Sequence, residues 1–263
     1  MSGFFHEPTA VLTLSGRPQD LPLTPAAKRR VRLVEIRLDL AEPATWATRA
    51  KEAERAFPSA RLLGTIRLEQ DGGRWPDGRS RSEAVATALS TRRWDYWDVE
   101  DDNDERDVLL GILRDKSPLT RVVLSRHSFQ AVDAVEMLEQ MAAVGASANR
   151  IGAEVAKWAG RCLDPDEAGP ELLRWLSLWQ GPAVPAFFLM GMGSEAWRVA
   201  AAKLSGGWGY AHDGSGAVAP GQLPWTVFDA LLGSLPPCQK WDKNWFQGVA
   251  SAVGLAMREE AQA

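Results

Sequence analysis

The sequence predicts an α/β fold, a (β/α)8 TIM barrel formed as a single domain over residues 1–263. Three observations carry this: eight short β-rich runs, helical patterns between them, and a length of 263 residues that suits one barrel. The strand runs are AVLTL, RLVEIRLDL, ARLLGTIRL, YWDVE, TRVVLSRH, AEVAKWAG, VPAFFLM and GGWGYAHD. EPATWATRAKEAERAF follows the second run, RSEAVATALS the third, ERDVLLGILRDK the fourth and SFQAVDAVEMLEQMAAVG the fifth. PELLRWLSLWQ, SEAWRVAAAKL and LPWTVFDALLGSL complete the series. Several of these carry apolar residues at i, i+3, i+4 and i+7, the helical stripe. Such alternation implies parallel strands joined by helical crossovers. A doubly wound open sheet is the competitor, but no Gly-x-Gly-x-x-Gly turn follows the first strand. No linker or internal repeat divides the chain. The C-terminal KWDKNWFQGVASAVGLAMREE reads as a last barrel helix packed on its neighbours.

Composition narrows the function classes. Apolar residues make up 45% and charged residues 24%, the proportions of an ordinary globular protein. A net charge of −4 offers no electrostatic reason for a nucleic-acid or membrane partner. No apolar run has the length to span a bilayer, and MSGFFHEPTA lacks the pattern of a signal peptide. Cys162 and Cys238 match no metal or redox spacing, which fits a reduced, cytoplasmic setting.

In a barrel whose sheet is covered by helices, charged residues inside strands are costly unless paired or used. Active sites gather at the C-terminal strand ends. Glu35, Arg37 and Asp39 in V-E-I-R-L-D share one face under the two-residue period. They form either a substrate-facing cluster or an interior ion-pair network. Arg67 closes the third strand before the loop LEQDGGRWPDG, and Glu100 closes the fourth. The acidic run after it, from Asp101, reads as a solvated helix start. His127 ends the fifth strand and is suited to proton transfer. Of the other two histidines, His6 lies in the N-terminal tail and His212 in a glycine-rich turn.

Lys157 shares its face with Ala153, Val155 and Ala159, so its amine points into the barrel. Two readings stand: a desolvated nucleophile, or the cation of a buried pair with Glu35 or Glu100. Arg198 is suited to a carboxylate. The segment at about 212–224, HDGSGAVAPGQ and its continuation, is a plausible lid carrying Gln222, or else a plain connection.

In this order and on these strands, the motifs V-E-I-R-L-D, G-T-I-R with its D-G-G loop, D-V-E, V-V-L-S-R-H-S-F, G-A-E-V-A-K-W-A, M-G…W-R and A-P-G-Q resemble type I 3-dehydroquinate dehydratase (type I dehydroquinase). The resemblance implies a lyase of the shikimate pathway that converts 3-dehydroquinate to 3-dehydroshikimate by syn dehydration. It implies Lys157 as the Schiff-base lysine, His127 as the general acid and base, and Glu100 as the acid that positions the histidine. It further implies Glu35, Arg37 and Arg67 for substrate hydroxyls, Arg198 for the substrate carboxylate, Gln222 for the lid, and Thr13 as a small hydroxyl residue. No cofactor and no metal are implied, because the imine is itself the electron sink. A homodimer is also implied. Val218 stands where the family carries a lid serine, with Ser215 the nearest hydroxyl, and Trp158 stands where a smaller residue is usual. These departures keep two alternatives open: a related Schiff-base dehydratase or class I aldolase-like enzyme for another hydroxy-keto acid, and a silent relative.

Overall fold

Strict alternation along each strand decides which side chains enter the barrel. In the computed structural model, which describes residues 8–16, 18, 21, 23–76, 78–101, 104–179, 185–236 and 238–262, eight parallel strands follow one another. They are β1 (Thr9–Leu14), β2 (Leu33–Arg37), β3 (Arg61–Thr65), β4 (Tyr96–Glu100), β5 (Arg121–Val132), β6 (Val155–Cys162), β7 (Ala186–Gly191) and β8 (Trp208–His212). Hydrogen bonding runs in the order β7-β6-β5-β4-β3-β2-β1-β8. The remaining gap between β7 and β8 is bridged by packing, with the rings of Phe188 and Trp208 4.8 Å apart. This is the expected (β/α)8 barrel, in one domain.

The helices are α1 (Pro25–Arg30), α2 (Trp46–Ala56), α3 (Gly78–Thr91), α4 (Arg106–Lys116), α5 (Ala134–Ile151), α6 (Pro165–Leu178), α7 (Glu195–Ser205), α8 (Trp225–Ser234) and α9 (Lys243–Glu260). Among the described residues, five start on side-chain caps, with Thr24 accepting the Ala27 N–H at the start of α1. Asp133, Asp164, Ser194 and Asp242 accept backbone N–H groups of the first turn of α5, α6, α7 and α9, satisfying donors the helix leaves open. Outward residues such as Leu12, Val34, Leu62, Val99, Leu124 and Leu189 form the core between sheet and helices. Inward residues Val11, Leu33, Leu63, Tyr96, Val123, Val155 and Trp208 plug the barrel.

Several boundaries differ from the sequence reading. β2 stops at Arg37, and Leu38–Leu40 turns into a 3-10 helix, so Asp39 leaves the strand face and bends back toward Arg37. β3 stops at Thr65, which puts Arg67 in the loop beyond it. β5 continues past His127 to Val132, still paired with β6, with an irregularity between Ser128 and Ala131. α1, at six residues, is too short to show a stripe, and the expectation had no helix there. The C-terminal segment is a ninth helix packed on α7 and α8, additional to the eight barrel helices. His6 lies outside the described residues. No helix among them is long and apolar enough to cross a membrane.

Candidate active site

Above the apolar plug the barrel interior turns polar. The even-numbered strands supply Glu35, Asp98, Lys157 and Tyr210. Lys157 Nζ donates to Asp98 Oδ2 at 2.6 Å and sits 4.8 Å from the centre of the Tyr210 ring. Four side chains from alternate strands make one layer of a barrel interior. The odd strands add hydroxyls that satisfy this layer's carboxylates. Thr13 and Thr65 donate to the two oxygens of Glu35, each at 2.9 Å, and Ser125 donates to Asp98 Oδ1 at 2.6 Å.

A cavity of about 280 Å³ opens above this layer, lined by Lys157, His127, Glu35, Arg37, Arg67, Arg198, Tyr210 and Gln222 among others. Its size is near the low end for small-molecule sites. A larger groove of about 880 Å³ lies between the loops after β2 and β3, but it holds neither the lysine nor the histidine.

One ion-pair chain organises the cavity floor. Arg67 donates to Asp98 at 2.9 Å and to Glu100 at 2.6 Å, and Arg81, fully buried on α3, donates to the other Glu100 oxygen at 2.7 Å. Burial pushes the Asp98 carboxyl up, but the charges of Arg67 and then Lys157 outweigh it and hold the group well below the usual carboxylate range. Burial likewise disfavours the Arg67 cation, yet Asp98 and Glu100 overcome it and raise its pKa. Arg67 Nη1 also lies 3.3 Å from His127 Nδ1. A guanidinium only donates, so Nδ1 is the acceptor. Burial, then the charges of Arg67 and Lys157, hold the imidazole well below its ordinary pKa. His127 is therefore a neutral ring with a lone pair at neutral pH, able to accept a proton.

The opposite wall differs in its balance. Arg198 is fully buried on α7 and donates to the carbonyls of Gly221 at 2.8 Å and Pro220 at 2.6 Å. No carboxylate among the described residues is within salt-bridge distance of it, and burial lowers its pKa to about 10. A buried cation held only by carbonyls has unused capacity for an anion. Arg37, by contrast, is already clamped in a two-point contact to Asp39, at 2.9 and 2.7 Å. Gln222 ties the lid to the barrel. Its amide donates to Thr13 at 3.3 Å, and its oxygen accepts the Val218 N–H at 2.9 Å.

Most of the sequence-predicted residues thus converge, with refinements. Glu100 and Thr13 stand behind the cavity wall. Both Glu100 oxygens are taken by arginines, so Glu100 meets His127 only through Arg67, whereas Asp71 of the D-G-G loop lines the cavity directly. The partner of Lys157 is Asp98, not Glu35 or Glu100. Asp98, Arg81 and Tyr210 were not singled out, although Asp98 shares the inward face of YWDVE with Glu100 and could have been read from that spacing. Trp158 does not narrow the pocket. It faces outward and donates to Gln140 of α5 at 2.9 Å. Ser215 is committed to Asp213 and Ser15 and does not line the cavity, so it does not replace the serine at Val218. His212 accepts the Gly214 N–H at 3.1 Å, the turn role expected of it. Both cysteines are free.

The comparisons agree with this fold and give its family. The family model described as Type I 3-dehydroquinase matches residues 10–235. The chain is similar to the 3-dehydroquinate dehydratase of Pyrobaculum aerophilum, 27% identical over 219 residues that cover 83% of this chain and 68% of that one. It is also similar to the 3-dehydroquinate dehydratase of Halobacterium salinarum, 29% identical over 231 residues that cover 84% and 96%. The same fold occurs in the crystal structure of 3-dehydroquinate dehydratase from Geobacillus kaustophilus, with a TM-score of 0.69, 22% identity, and coverage of 89% of this chain and 93% of that one. With the matched region running from β1 through α8, the chain belongs to the type I 3-dehydroquinase family.

Proposed function

We propose that this chain dehydrates 3-dehydroquinate to 3-dehydroshikimate through a Schiff base on Lys157. The observation that carries the reading is a buried lysine at the floor of a small cavity, with a neutral histidine beside it and a buried arginine lacking a carboxylate across from it. Arg198 takes the substrate carboxylate in a two-point contact, and Glu35 accepts from substrate hydroxyls. This places the C3 ketone over Lys157. Addition and loss of water give a cationic imine, the electron sink that acidifies the C2 hydrogen. His127 accepts that proton on its Nδ1 lone pair, which among the described residues meets only Arg67 at 3.3 Å, and returns it to the departing hydroxyl. Hydrolysis then frees the product. Glu100 acts through Arg67, holding the guanidinium that sets both Asp98 and His127. The segment from Asp213 to Pro224, anchored by Gln222 and Arg198, closes over the substrate. A homodimer in a cytoplasmic setting belongs to the same proposal.

Val218 favours a second reading. Its side chain lines the cavity where the resemblance has a hydroxyl, which suits a related hydroxy-keto acid with fewer polar groups at that point. Turnover assays on 3-dehydroquinate and a panel of such acids separate the two. Lys157→Ala is expected to abolish turnover. Arg198→Gln is expected to raise KM about 30- to 150-fold, the worth of a charge-assisted pair of roughly 2–3 kcal/mol. Turnover surviving in folded Lys157→Ala protein refutes the assignment.

A further inference from the structure

We infer that Tyr210 is a further catalytic residue, serving the steps that make and break the bond between substrate C3 and its oxygen. The inference rests on the imine reading above and goes beyond it. Tyr210 is 4% exposed and lines the cavity. Its ring faces Lys157 Nζ, 4.8 Å from the centroid, close enough for the ring quadrupole to steady a cation on that nitrogen. Its hydroxyl has no hydrogen-bond partner among the described residues. The neighbouring interior hydroxyls of Thr13, Thr65 and Ser125 are each committed to a carboxylate. A buried hydroxyl left open costs stability unless a ligand engages it. The phenol oxygen lies one ring radius and one C–O bond from that centroid, in the same interior layer as Lys157. Burial, reinforced by Glu35 and Asp98, keeps the phenol protonated, so it donates.

The step balances without a further reactant. Starting from the Lys157–Asp98 ion pair, an N–H bond breaks as Asp98 Oδ2 takes the proton. The freed lone pair forms the N–C3 bond as the C3=O π bond breaks, and Asp98 hands that proton to the C3 oxygen. The C3–O bond then breaks as N=C forms. Two of the three ammonium protons leave in the water, and one stays on the iminium. Tyr210 holds the oxygen through both events and keeps its own proton; hydrolysis of the product imine runs the same contacts in reverse.

The test compares wild type with Tyr210→Phe, using 3-dehydroquinate and its C2-deuterated form. The phenylalanine variant should lose about tenfold in kcat with little change in KM. Borohydride capture at Lys157 should slow in parallel, and the C2 isotope effect should shrink as the carbon–oxygen steps become limiting. Tyr210→Leu, which also removes the ring face, should slow capture further. An unchanged kcat in Tyr210→Phe, or a lower kcat with an undiminished isotope effect, overturns the role of the hydroxyl. Equal capture rates in the two variants overturn that of the ring. Wild-type protein that turns over substrate yet forms no adduct at Lys157 overturns the imine reading, and this inference with it.

Discussion

At the scale of single residues, the site sets charge states by burial and by neighbours that burial makes strong. His127 shows the consequence most plainly. Its pKa is held well below the ordinary 6.5, so kcat/KM should stay level from neutral pH down past 6.5 and fall only at lower pH, as the ring takes a proton. The linked effect on stability has a definite sign. The unfolded ring binds its proton near pH 6.5, whereas the folded ring binds only at lower pH. Between those values the unfolded state holds more protons, so stability falls as pH falls. A kinetic pKa at or above 6.5 that disappears in His127→Ala would contradict this. Lys157 and His127 were visible in the sequence because an ionisable side chain in an apolar strand is costly and demands an explanation, whereas Arg198, on α7, was named for its carboxylate-binding fork. Asp98 was hidden. Its pairing with Lys157 crosses 59 positions and depends on which strands face each other across the barrel.

At the scale of elements, the loop from β3 to α3 decides where Arg67 sits. The loop doubles back so that Trp75 N–H donates to Arg67 O at 3.0 Å and Gly73 N–H to Leu68 O at 2.8 Å. Gly72 takes φ +78, and a Cβ on Gly73 would fall on the Arg67 carbonyl. A left-handed residue and a close backbone approach both call for glycine. Gly73→Ala should therefore shift the loop, cost about 1–3 kcal/mol in denaturant unfolding, and lower kcat/KM at least tenfold through misplaced Arg67. Unchanged activity in a stable variant would show that Arg67 does not depend on this loop. The D-G-G motif was legible as a turn, but the strand ends around it were not. V-E-I-R-L-D alternates like a strand throughout, although the backbone has already turned into a 3-10 helix at Leu38, which brings Asp39 back onto Arg37.

At the scale of the whole molecule, the barrel was readable because eight apolar runs alternate with helical stripes, and one fold accommodates that order over this length. The composition of the interior layer was not readable, since Glu35, Asp98, Lys157 and Tyr210 meet only through the tilt and stagger of closure. That layer is what turns a scaffold into a site: it places a lysine, its counter-ion and an aromatic face at the floor of one cavity, with His127 and Arg198 on the walls. The central claim is that Lys157 bonds covalently to the substrate. The most direct measurement is borohydride reduction in the presence of 3-dehydroquinate, followed by intact mass and peptide mapping. A single ligand-sized mass gain located on Lys157 is the expected result. A folded, active protein with no adduct, or with the adduct on another lysine, would contradict the account.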